Sequence, residues 1–232
     1  MNDTTRSDKH CNSVNGLTYM KMDFKKLSGI LGALLLINLL AICTSEAQEK
    51  RPLFLYVFLH DDIPAAERTN LKKDYFSWMI KDLESFTGRR VYLDIIDKKS
   101  ELSSFRYQTD DLKRGQNEWI RLLNRHLKAN NLPLNGTTKY LLLTRHAINE
   151  TTLGYTSDKH HTAIASLKTY TAAAHEIGHM LGGSHENSEV LFRGGWWCET
   201  NITPTREQIR TNCYVYSDKN KKIIAEHLNQ FP

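Results

Sequence analysis

The chain has 232 residues, of which 40% are hydrophobic and 25% are charged, and its formal net charge is +5. These proportions suit one globular domain with an appendage and exclude a disordered or low-complexity chain. The positive charge is too mild and too evenly spread to predict a nucleic-acid partner.

The appendage lies at the N-terminus, where Lys25-Lys26 precedes an uncharged run from Leu27 to Cys43 that is rich in Leu, Ile and Ala. Ser45 and Ala47 are small residues at positions −3 and −1 of a candidate cleavage site. This arrangement is typical of a secretory signal peptide, so we predict a secreted, periplasmic or extracellular protein.

Two alternatives stay open for the same run. Its 17 residues, 27–43, reach the length of an uncleaved membrane anchor. Cys43 is a candidate for lipidation, although the preceding Ile42 is larger than a lipoprotein motif requires. The sequence therefore divides into residues 1–47, an N-terminal extension with a signal peptide or anchor, and residues 48–232, one folded domain.

Strands and helices alternate along the folded domain. Apolar and aromatic runs predict buried strands at 52–60, 91–96 and 140–143, and shorter strands at 153–156 and 162–167. Apolar residues at helical spacing predict helices over 65–86, ended by Gly88, and over 112–127. A last helix is expected over about 219–228.

Residues 175–185 read H-E-I-G-H-M-L-G-G-S-H and carry the clearest chemical signal of the chain. His175 and His179 are four residues apart and share one face of a helix, so both rings can point at one metal ion. Gly182 can adopt positive φ and end the helix, which lets His185 return as a third ligand. Three imidazoles leave one tetrahedral position open, as in a catalytic zinc site, and Glu176 lies beside that position.

The residues before the motif favour a helix at this place. Ala172-Ala173-Ala174 is a strong helix former, and the preceding threonines are candidate N-caps. Ala173, Ile177 and Leu181 recur every four residues, which predicts a buried stripe opposite the histidines.

Two further features follow the motif. Cys198 and Cys213 are the two cysteines of residues 48–232, and after an export signal they predict a disulfide. The segment 192–197, F-R-G-G-W-W, is interpreted as core packing, with a substrate-pocket wall as the alternative. The other six histidines of residues 48–232 lack ligand spacing, and we expect them on the surface or in loops: His60, His126, His146, His160, His161 and His227.

The residues His175, Glu176, His179, Gly182 and His185 resemble, position for position, the extended zinc signature of the metzincin metallopeptidases. The resemblance implies an α/β (α+β) fold. It comprises a twisted, mostly parallel five-stranded sheet with an antiparallel edge strand at 153–156, an active-site helix and a small irregular C-terminal subdomain ending in a helix. It further implies a zinc endopeptidase with one catalytic Zn²⁺, Glu176 as general base, and an extended peptide or protein substrate paired with the edge strand. The residues of 153–156 alone fit an ordinary hairpin strand equally well.

The chain departs from metzincins downstream of the third histidine, where they place a methionine-containing turn under the zinc. Met180 is the last methionine here, so no family within the clan is assigned. The counterpart of the turn is 212–216, with Tyr214 in place of the methionine. By resemblance to astacin-like and serralysin-like enzymes, Tyr216 is then a candidate oxyanion stabiliser. A shift of one residue instead places Val215 under the zinc and Ser217 at the tyrosine position.

Two functional alternatives and one question of restraint remain. A metzincin fold could keep zinc and recognise a partner without cutting it, or Cys198 or Cys213 could complete a structural zinc site. Few residues separate Ala47 from the first strand, too few for a segment that plugs the cleft. We therefore expect either activity on export or restraint by a separate inhibitor protein.

Overall fold

A computed structural model describes residues 50–232 of the chain. The interpretations of residues 1–47 as a signal peptide, an anchor or a lipidation site lie outside the described residues. Within 50–232, no helix has the length and apolar character needed to cross a bilayer.

Five strands build the main sheet: β1 (Leu53–Leu59), β2 (Val91–Ile96), β3 (Thr138–Thr144), β4 (Gly154–Thr156) and β5 (Thr162–Ser166). Their order is β2-β1-β3-β5-β4. Four strands run parallel, and β4 pairs antiparallel with β5 at the edge. The mostly parallel five-stranded sheet with an antiparallel edge strand is therefore confirmed.

Five α-helices accompany the strands: α1 (Ala65–Arg68), α2 (Ser77–Thr87), α3 (Leu112–Ala129), α4 (Ala172–Met180) and α5 (Asp218–Leu228). Gly88 ends α2 in the left-handed conformation, as predicted. The single helix expected over 65–86 is wrong, because a π-helical turn, Lys72–Phe76, separates α1 from α2. Its i→i+5 spacing favours burial of Leu71 and Phe76, five residues apart, in the same core.

The sheet is covered on both faces, which explains why every residue of β3 is buried. Side chains of β1 alternate between the two faces: Leu53, Leu55 and Val57 join a core with α2, α4 and α5. Phe58 points to the other core, built with Trp119 and Leu123 of α3. The helix α4 therefore lies on one face of the sheet, next to β5 and the edge strand.

The C-terminal part contains a small sheet of β6 (Val190–Arg193), β7 (Trp196–Glu199) and β8 (Thr211–Asn212), followed by α5. Cys198 and Cys213 form the predicted disulfide, which ties β7 to the residue after β8. The core interpretation of the tryptophans is wrong, because Trp196 is 70% and Trp197 is 56% exposed. The turn at Gly194 and Gly195 projects both rings away from the core.

Candidate metal site and cleft

The helix α4 carries the first two histidines and is anchored by its buried side. Ala173, Ile177 and Leu181 are at most 1% exposed, so the predicted apolar stripe is confirmed. Thr171 occupies the N-cap position, but its side chain makes no capping hydrogen bond. The C-terminal end is closed by Gly182, whose φ of 93° suits glycine, and the chain then turns into a short 3₁₀ segment beginning at His185.

The three histidines converge at their Nε2 atoms. The separations are 3.1 Å between His175 and His179, 3.0 Å between His175 and His185, and 3.0 Å between His179 and His185. His175 Nδ1 lies 3.0 Å from the Asn201 carbonyl oxygen, and His179 Nδ1 lies 2.8 Å from that of Gly183. A carbonyl only accepts, so these Nδ1 atoms donate, and the Nε2 lone pairs face a common centre.

This arrangement fits a zinc ion. Tetrahedral Zn–N bonds of about 2.0–2.1 Å place two ligand nitrogens about 3.3–3.4 Å apart, within a few tenths of an ångström of the observed separations. Three facing lone pairs repel one another unless a cation lies between them. Among residues 50–232, these histidines are the single group of three or more His, Cys, Asp or Glu side chains with converging ligand atoms.

The charge state of the histidines suits ligation. Burial, together with the neighbouring His179 and His185, lowers the pKa of His175 to about 3. Burial also lowers the pKa of His179. Both rings are therefore neutral near pH 7, which is the form that binds a metal ion.

The structural-zinc alternative is wrong in the form that needs a cysteine ligand. Cys198 and Cys213 are bonded to each other and offer no thiolate. The three histidines could therefore supply three ligands to a metal ion, with a fourth position left open toward the cleft.

Glu176 lies beside the three histidines and is 5% exposed. Burial raises its pKa to about 8, and a dication bound by the histidines would act in the opposite direction. Its side chain lies against Gly154 of the edge strand: a Cβ built on that glycine would come within 2.9 Å of Glu176 Cγ and Oε1. The carboxylate is therefore held between α4 and the strand expected to receive an extended peptide.

A cleft of about 660 Å³ opens over these groups. Residues 151–154 form one wall and residues 203–206 form the other, while His175, Glu176 and His185 line the floor. The Leu153 carbonyl accepts from the Ser166 N–H at 2.8 Å. In an antiparallel ladder this leaves the N–H and C=O of Gly154 and Thr156 pointing away from β5, toward the open edge.

Tyr216 is not brought to the histidines. Its side chain is 1% exposed, its hydroxyl donates to the Ala174 carbonyl at 2.7 Å, and its backbone N–H donates to Asp82 Oδ2 at 2.8 Å. The ring packs under α4, where a Cβ on Gly178 would approach Tyr216 Cε1 to 2.7 Å. Tyr216 therefore belongs to the buried core beneath α4 and does not line the cleft. This placement does not support the expected oxyanion role.

The expectation that Tyr214 takes the place of the turn methionine is wrong. Tyr214 has a φ of 56°, is 39% exposed and packs edge-on against Trp78. The chain turns at Tyr214, and the buried aromatic ring is that of Tyr216, two residues further on. Ile202 and Tyr216 both pack against the buried side of α4 at Gly178.

Two residues of the site were missed by sequence reasoning. Asn201 is fully buried, and its carbonyl oxygen orients His175. Arg206 lines the cleft, donates to Asn212 Oδ1 and lies 3.7 Å from Glu199 Oε2. Both lie in the loop closed by the disulfide, and no spacing pattern links them to the histidines.

Comparison with known proteins finds similarity to solved structures. No protein-family model matches the chain, and no curated protein matches it. A crystal structure of a zinc-dependent peptidase from Methanocorpusculum labreanum (strain Z) aligns with 73% of this chain and 99% of that chain, at 17% sequence identity and a TM-score of 0.41. The site described above rests on the geometry of this chain's own residues.

Proposed function

We propose that the chain is an exported zinc endopeptidase of metzincin type. The observation that carries the proposal is the convergence of the Nε2 atoms of His175, His179 and His185 beside the Glu176 carboxylate. The cleft above them is open and bordered by a sheet edge. Export is supported by the apolar leader and by the disulfide, which forms in oxidising compartments.

Zinc held by the three histidines would act as a Lewis acid on the peptide carbonyl and increase the acidity of water. Glu176 then accepts the proton of the attacking water at a carboxylate oxygen. The water oxygen bonds to the carbonyl carbon. As the C–N bond then breaks, the same carboxyl group delivers the proton to the leaving amine nitrogen. Burial keeps bulk water from competing with this transfer.

The edge strand would hold the substrate. Gly154 and Thr156 present backbone N–H and C=O groups to the open side of β4, so an extended peptide can add as a further strand. Gly154 has no side chain, and a backbone can therefore approach Glu176 closely. A peptide bound in this way would have its scissile bond near the carboxylate, so we expect cleavage within extended segments.

The test compares wild-type protein with Glu176→Gln and, as a matched control, Glu186→Gln. Glu186 is an exposed glutamate next to His185 that does not line the cleft. Each protein is analysed for bound zinc and for cleavage of an unfolded protein substrate, with and without chelator. We expect zinc in all three, and a rate loss of about 10²-fold or more for Glu176→Gln alone.

Unchanged cleavage by Glu176→Gln would refute the mechanism. A wild-type protein that binds zinc and cleaves no peptide would instead favour a recognition module without proteolytic activity.

A further inference from the structure

A second cavity of about 270 Å³ lies between the segment leading into β3, the turn before β5 and the end of α5. Five lysine and histidine side chains line it, and no aspartate or glutamate does: Lys139, Lys159, His160, His161 and His227. The mechanism above uses none of them. Their number and common chemistry distinguish this cavity from the polar surface around it.

Lys139 is the most unusual member. It lies on β3 with a side chain 2% exposed, and its Nζ donates to the His160 carbonyl oxygen at 3.1 Å. An ammonium group has three donors, so two remain free for another acceptor. The nearby charge of Asp158 offsets only part of the effect of burial, which lowers the pKa of this lysine to about 8.

The histidines supply further unused groups. His160 Nδ1 and His227 Nε2 are buried without a hydrogen-bond partner among residues 50–232. Buried polar atoms are rarely left unpaired, so two such atoms beside one cavity point to a bound group. His161 Nε2 is already held by Asn124 Oδ1 at 2.9 Å.

The rest of the lining consists of one amide side chain, Asn135, and of apolar groups from Leu134, Gly136 and Phe231. The Phe231 ring packs directly on Gly136, where a Cβ would overlap the ring, and it meets the His227 ring edge-on. A ligand in this cavity therefore meets donors on one side and an aromatic surface on the other.

We propose that this cavity is a binding site for a small oxyanion bearing a phosphate or carboxylate group. The anion accepts from Lys139 Nζ and from ring N–H groups of His160 and His227, with Lys159 at the entrance. A cation is disfavoured by the two ammonium groups, and the imidazoles here do not converge as metal ligands.

Lys159 connects this cavity to α4, the helix that carries His175 and His179. Its backbone N–H donates to the His179 carbonyl at 3.0 Å, and its side chain runs past Gly182, where a Cβ would lie 3.0 Å from Lys159 Cε. An anion bound by the Lys159 side chain would therefore contact a residue whose backbone is hydrogen-bonded to the C-terminal end of α4.

The experiment titrates the full chain with two probes, inorganic phosphate and glutarate, at constant ionic strength set with sodium chloride. Calorimetry measures affinity, and long-range ¹H–¹⁵N spectra follow the histidine ring nitrogens. Lys139→Met keeps the length of the buried stem and removes the charge. Lys128→Met removes an exposed lysine of α3 and serves as the matched control.

We expect saturable binding of at least one probe, shifts of the His160 and His227 ring signals, and affinity at least about tenfold weaker in Lys139→Met than in Lys128→Met. Preference for phosphate would indicate an inorganic or phosphorylated ligand, and preference for glutarate an organic acid. Lys159→Met should also weaken binding and provides a second variant if Lys139→Met does not fold. Absence of saturable binding, or equal affinity in the Lys139 and Lys128 variants, would overturn the proposal. Neither readout depends on peptidase activity.

Discussion

Replacing Gly154 by alanine tests whether the edge strand positions the general base. Gly154 does not have positive φ, so alanine fits the backbone and the effect is steric. The added Cβ would lie 2.6 Å from the Ile164 carbonyl oxygen and 2.9 Å from Glu176 Oε1. The first neighbour is backbone in the middle of β5 and cannot move cheaply, so β4, Glu176 or both must shift.

The size of the effect follows from these distances. Relief of both contacts to ordinary van der Waals separation requires movements approaching 1 Å, and overpacking of this kind costs about 1–3 kcal/mol of stability. A misplacement of about 1 Å at a reacting group can lower the rate by about 10²-fold. The three nearest neighbours of the new methyl include no histidine, so zinc binding should be unchanged.

The assay measures kcat on a peptide substrate, zinc content and the urea midpoint. Gly115→Ala is the matched control, because its Cβ would meet Thr109 Cγ2 at 2.7 Å and Tyr155 Oη at 3.2 Å without approaching Glu176. We expect a large fall in kcat with full zinc content in Gly154→Ala and near wild-type kcat in Gly115→Ala. A Gly154→Ala enzyme that cuts at the wild-type rate would refute the role given to this contact.

Three further predictions concern stability. Tyr216→Phe should cost about 1 kcal/mol in urea unfolding, through the lost bond to Ala174, and leave kcat unchanged; a large fall in kcat at unchanged stability would restore its oxyanion role. Replacing Cys198 and Cys213 by serine should lower the unfolding free energy by about 3 kcal/mol, and an unchanged urea midpoint would contradict the disulfide. Lys139→Met should stabilise the protein at pH 7 by up to about 3 kcal/mol, because burial lowers the lysine's pKa from 10.5 to about 8 and disfavours its charged form. The lysine binds its proton more tightly in the unfolded state than in the folded state. The gain in stability should therefore shrink as the pH rises from about 8 to 10.5. A gain that does not change with pH would refute burial of the charge as its cause.

The sequence predicted those features that depend on local pattern. The run of apolar residues in β1 and β3 identified buried central strands, and Gly88 identified the end of a helix. The spacing of His175, His179 and His185 predicted that their ring nitrogens meet at one point. In each case the relevant residues are close in sequence, so periodicity alone carries the information.

Features that depend on distant contacts could not be predicted in this way. The Asn201 carbonyl reaches His175 across 26 residues, and Tyr216 is buried because Asp82, from α2, fixes its backbone. The break between α1 and α2 reflects the burial of Leu71 and Phe76 in one core, which outweighs helix propensity. The histidines around Lys139 have no shared spacing, since the fold brings them together from two segments.

The disulfide gives the cleft a dependence on compartment. The loop that it closes carries both the Asn201 carbonyl, which accepts a hydrogen bond from His175, and the cleft wall formed by residues 203–206. A chain whose cysteines stay reduced still contains α4, but this wall is then held by noncovalent contacts such as the Glu199 ion pairs with Arg206 and Arg210. Under the proposed function, formation of the disulfide would complete the cleft, so peptidase activity would begin only in an oxidising compartment.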